Sequence, residues 1–77
     1  MTTDELRAAL KELTGGRDAT FAFTHTGEQA SLLLVPNAML VPEEGDHMVK
    51  VTDGQNIAII DAASVAWVRI GPPQLNK

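Results

Sequence analysis

The stretch HMVKVTDGQNIAIIDAASVAWVRI, residues 47–70, decides the fold. Its apolar residues recur at a period of two, the signature of strands that bury one face. His47 to Thr52 reads as a strand with Val49 and Val51 on the same side. Asp53-Gly54 ends it, a pair that favours a tight hairpin because glycine adopts positive φ without a steric cost. Gln55 to Ile60 is the returning strand, Asp61 to Ser64 a very short turn, and Val65 to Ile70 a last strand. Strict alternation sets Val65, Trp67 and Arg69 on one face of that strand and Ala66, Val68 and Ile70 on the other.

The same period extends upstream. From Ala19 to Thr24 the residues alternate, with Phe21 and Phe23 together on one face. Gly27 lies in the following turn, and Glu28 to Val35 is a second strand. Its end, Leu32 to Val35, is continuously apolar, which predicts cover on both faces. Pro36 predicts a bulge, with Asn37 to Val41 continuing as an edge, because proline cannot donate to a central ladder. Pro42 to Asp46 is a polar loop. Before the strands, Leu6, Ala9, Leu10 and Leu13 recur at helical spacing behind a Thr2/Glu5 capping box, and Gly15-Gly16 predicts the helix stop.

The chain thus reads as one mainly β domain over residues 1–77: a helix and cap at 1–16, a bent five-stranded antiparallel sheet closing a small barrel at 18–71, and a flexible tail at 72–77. A chain of 77 residues buries only about 60% of its unfolded surface, so association between copies is an ordinary remedy. Without cysteine, a disulfide scaffold or thiolate metal site is excluded. No signal-peptide core and no stretch of bilayer length occurs, so a cytoplasmic location is expected and a membrane is not an expected partner.

Chemistry is sparse. His25 and His47 have no metal-ligand spacing, and Glu43, Glu44 and Asp46 lack the pattern of a calcium loop. Ser31 and Ser64 have no elbow motif or neighbouring base, and no glycine-rich phosphate loop opens a helix. Neither catalysis nor a cofactor is expected. The net charge is −4, and residues 18–46 carry acids only, so DNA is not an expected partner. Trp67 beside Arg69 has three readings: packing beneath the helix, a subunit interface, or a stacking platform.

The element order resembles the Sm/LSm-like small-barrel superfamily, including its Hfq-like branch. TFAFTHTG (20–27) looks like that family's first strand and turn, GEQASLLL (27–34) like its long second strand, and HMVKVTDG (47–54) like its third strand and hairpin. NIAIIDAASVAWV (56–68) resembles the paired fourth and fifth strands. The resemblance implies a ring in which the fourth strand of one copy pairs with the fifth of the next, with Ile57, Ile59, Val65 and Trp67 at the contact. It implies a pore turn at Asp61 and Ala62, where the family carries Arg-Gly or Lys-His. Carboxylate and methyl there remove the groups that would hold phosphate and uracil. The second-to-third strand region, VPNAMLVPEEGDH, also lacks the family's Asp-x-apolar-Asn signature.

The expectation is therefore a homo-oligomeric, non-enzymatic interaction or assembly module, with a further protein partner allowed. An RNA-binding ring is the alternative, using Arg7, Lys11 and Arg17 from the helix region and Lys50 and Arg69 from the barrel. The second alternative is a monomeric SH3-like adaptor that captures a peptide beside Pro36 and Trp67, although aromatics make up only 4% of the chain.

Overall fold

The computed structural model describes residues 1–24 and 31–73. His25, the Gly27 turn, the first residues of the expected second strand and the end of the tail lie outside the described residues. The chain runs α1 (Thr3–Leu10), β1 (Thr14–Phe23), β2 (Ser31–Leu40), β3 (Val49–Thr52), β4 (Ile57–Ile60), a 3-10 turn (Ala62–Ser64) and β5 (Val65–Ile70).

Helix α1 starts where the capping box places it. The Glu5 amide donates to Thr2 Oγ1 at 3.0 Å, and the Thr2 amide donates to Glu5 Oε1 at 2.9 Å. The helix ends earlier than the apolar spacing predicts, at Leu10, with Lys11 as its cap. Leu13 is buried but lies beyond the helix, and Ala9 is exposed. Gly15 and Gly16 are not the helix stop. They belong to β1, as an insertion between the Thr14–Met39 and Arg17–Ala38 pairs, and Gly15 takes φ 104° there.

Pro36 sits in the bulge expected there, and β2 runs on beyond it between β1 and β3 rather than along an edge. Between the Arg17–Ala38 and Ala19–Val35 pairs, Asp18 alone stands opposite Pro36 and Asn37. This two-against-one bulge puts proline where no ladder donor is needed. The Asn37 amide donates to Asp18 Oδ1 at 3.0 Å, and Asn37 adopts φ 48°. The extra residue also resets the side-chain alternation, so Val35 and Ala38 both face the core.

The sheet is antiparallel throughout, in the order β4-β3-β2-β1-β5. Three strands separate β4 from β5, and among the described residues the two do not pair, so the expected barrel is not closed. β3 pairs with β2 at Met39–Thr52 and Leu40–Val51, with the Val41 amide donating to the Lys50 carbonyl at 2.9 Å, before the Asp53–Asn56 turn carries the chain away. Gly54 in that turn has the positive φ expected, 99°.

The core lies between α1 and one face of the sheet. Leu6, Leu10 and Leu13 pack with Ala19, Phe21, Val35, Ala38, Val49, Val51, Ile60, Ala62 and Val65. The helix rests against β3 and the 3-10 turn. No described helix is long and apolar enough to cross a membrane.

Candidate functional site

The open sheet leaves β4 and β5 as its two edges, and both carry large apolar side chains in solvent. On β4, Ile57 and Ile59 are each 62% exposed, opposite Thr52 and Lys50 of β3, while Ile60 turns into the core. On β5, Trp67 is 44% exposed and stands opposite Ala22, so it does not pack beneath the helix. The Arg69 guanidinium lies 5.7 Å from the Trp67 ring centre, a cation–π contact on the same face.

Val65 departs from the expectation. The Ala22–Trp67 pair is followed by Phe23–Val65, so Ala66 is an extra residue that bulges out. The alternation flips there, and Val65 enters the core at 4% exposure instead of joining Trp67 at the edge. Val68 and Ile70 keep the inward face that alternation gives them. Ala62, half of the expected pore turn, is also buried. Asp61 remains exposed and caps the 3-10 turn, accepting from the Ala63 amide at 3.2 Å and the Ser64 hydroxyl at 2.9 Å.

Leu32 and Leu34 are the apolar residues that a continuous hydrophobic run disguised. The sequence predicts cover on both faces of this segment, yet they stand 64% and 60% exposed. They flank Ala22 and Thr20 of β1 on the sheet's outer face, with Trp67 and Arg69 on the far side. Their alternation with Leu33 and Val35 was invisible because all four positions are apolar.

The five cations of the RNA alternative are scattered over α1, its following turn, β1, β3 and β5. Arg7 donates to the Met48 carbonyl at 2.5 Å, and Arg17 lies 3.9 Å from Glu12. Lys50 is held by Glu44 and by Asp46, the latter at 2.8 Å, while Lys11 is exposed on the turn after α1. Glu44 and Asp46 of the 42–46 loop are thus engaged with Lys50. His47 Nδ1 is 2.8 Å from Glu43 Oε2, and no group of three or more metal-ligating side chains gathers among the described residues.

These contacts make stability depend on pH at both extremes. The Asn56 and Gln55 amides donate to Asp53 at 2.7 and 2.8 Å and hold its carboxyl below the usual range. Asp46 is lowered by Lys50 and the Met48 amide, and Glu43 by His47 and Arg7. Each depressed carboxylate stabilises the fold above its unfolded value and loses that contribution as pH falls through the folded one. Lys50 is raised by Asp46 and Glu44, so its contribution fades as pH rises through its folded value. Thermal melts across pH are therefore expected to show stability falling below about pH 4 and above about pH 10. Asp53→Asn keeps an acceptor oxygen without the charge and should make the acid limb shallower. An unchanged acid limb would remove Asp53 from this account.

A cavity of about 340 Å³ opens at the end of the β3–β4 hairpin opposite its Asp53–Asn56 turn. Thr3, His47, Met48, Val49, Ile59, Ile60, Asp61 and Ala62 line it. A scan against protein-family models, a search of curated proteins and a search of solved structures each find no match for the chain.

Proposed function

We propose that this chain is a non-enzymatic, Sm-like assembly module in which β4 of one copy pairs with β5 of the next. One observation carries the reading: the sheet ends in two strands that each lack a second neighbour among the described residues, and each displays bulky apolar side chains at its edge. An uncovered apolar edge strand recruits another strand unless charge or proline protects it. β4 contains neither, and the one charge on β5, Arg69, stacks on Trp67. Because the joining surfaces differ, the contact is head-to-tail and closes into a ring when the rotation between copies permits.

Magnitudes favour closure over an isolated pair. Burying an exposed Ile or Trp side chain is worth about 2 kcal/mol, whereas associating two copies costs roughly 4–15 kcal/mol. Ile57, Ile59 and Trp67 with the new ladder bonds are therefore near balance at one contact. In a ring every copy makes two contacts, and the final one immobilises no further copy.

Light scattering coupled to size-exclusion chromatography tests this directly. A discrete multiple of 8.2 kDa is expected, holding its mass on dilution to roughly micromolar concentration. A chain that runs as an 8.2 kDa monomer even at roughly 100 µM overturns the proposal and leaves the peptide-capture reading to be tested.

A further inference from the structure

The pairing of β4 with β5 does not by itself say which side chains select the neighbour. We infer that Trp67 of one copy seats in the cavity at the end of β4 of the next, with Arg69 directed toward Asp61 there. This rests on the proposal that the β4 and β5 edges meet.

Three observations point to it. Trp67 is the only tryptophan and the largest exposed apolar side chain, on the free edge of β5. The cavity of about 340 Å³ adjoins the free edge of β4 and has room for an indole. Its lining combines the buried Val49, Ile60 and Ala62 with the exposed Met48 and Ile59, an apolar setting that suits an aromatic ring. The third observation is charge. Asp61 lines the same cavity, and Arg69 lies on the same face as Trp67 and stacks on it. A ring entering the cavity brings a guanidinium with it toward a carboxylate. A knob and a hole on one chain, with opposite charges beside them, match a second copy better than an unrelated partner.

The single tryptophan makes its own probe. As concentration rises through the assembly range, Trp67 emission should move to shorter wavelength and become shielded from acrylamide. Trp67→Ala should weaken assembly by about 30-fold or more, with Trp67→Phe recovering part of the loss. Asp61→Asn retains an oxygen for the Ala63 amide, and its amino group can donate to the Ser64 hydroxyl in place of the second oxygen, so the turn keeps its cap while the charge is removed. Asp61→Asn and Arg69→Gln should each weaken assembly several-fold, and the double variant should be no weaker than the worse single one. Circular dichroism of every variant monitors the fold. A stable multimer whose Trp67 stays quencher-accessible, or in which Trp67→Ala assembles normally, overturns the seat while leaving the edge pairing intact. A monomer at all concentrations overturns both.

Discussion

A chain carrying Ile57→Lys and Ile59→Lys together is expected to fold as the parent does and to run at the mass of a single 8.2 kDa copy. Both side chains are 62% exposed, on the face of β4 away from the core. Exchanging them for lysine leaves Ile60, the buried residue of that strand, in place. Such surface changes usually alter stability by less than about 0.5 kcal/mol. Their effect on pairing is much larger. Assembly would have to strip water from two ammonium groups, and lysine on an edge strand is a common natural block to strand addition. Light scattering reads the mass and far-ultraviolet circular dichroism the fold. A double variant that keeps both the parent's fold and its multimer would show that β4 is not the joining edge.

Phe21→Ala is the substitution expected to damage the fold most. Phe21 is fully buried near the C-terminal end of β1, pairs with Leu33 and Val68 on either side, and stacks on Phe23 with ring centres 6.4 Å apart. Removing a buried phenyl ring costs about 3–5 kcal/mol, because the transfer energy is lost and the cavity closes only partly. A domain of this length holds only about 4–12 kcal/mol of total stability. The expected result is a fall of more than about 12 °C in the melting midpoint, or no cooperative transition at all. Phe23→Ala, at a half-buried position, serves as the comparison and should cost less. A Phe21→Ala midpoint within a few degrees of the parent would contradict this account of the core.

The parts legible in the sequence were those set by local chemistry. Thr2 and Glu5 form the capping box they announce, and Asp53-Gly54 makes the hairpin its glycine allows. Phe21, Val49 and Val51 face the core as their alternation requires. The sequence showed one irregularity of the strands, the bulge at Pro36, without its partner, and concealed two others. Each of them depends on a neighbour that is distant in the chain. Pro36 continues in β2 because Asp18, far upstream, receives the Asn37 amide. Gly15 and Gly16 join β1 because Met39 and Ala38 set the register across from them. Val65 is core rather than edge because Ala66 bulges against β1. A period-two pattern cannot show where an extra residue resets it, and one such residue moves a candidate contact from the edge to the interior. Leu32 and Leu34 were hidden for another reason: an unbroken apolar run carries no alternation to read.

The strand order also bears on how the chain is made. β1 takes its second neighbour from β5, which follows the other described strands in the chain, so one side of β1 stays open until residue 70 has emerged from the ribosome. During that interval β1 offers a vacant lane to any β5 within reach, including that of a neighbouring nascent chain. Exchange of β5 between copies would satisfy the same Ala22–Trp67 and Phe21–Val68 pairs as the native fold. The short Ala62–Ser64 link keeps each chain's own β5 close at hand and so favours the correct partner. Loosening that link would turn the emergence of β5 into a source of interlocked dimers.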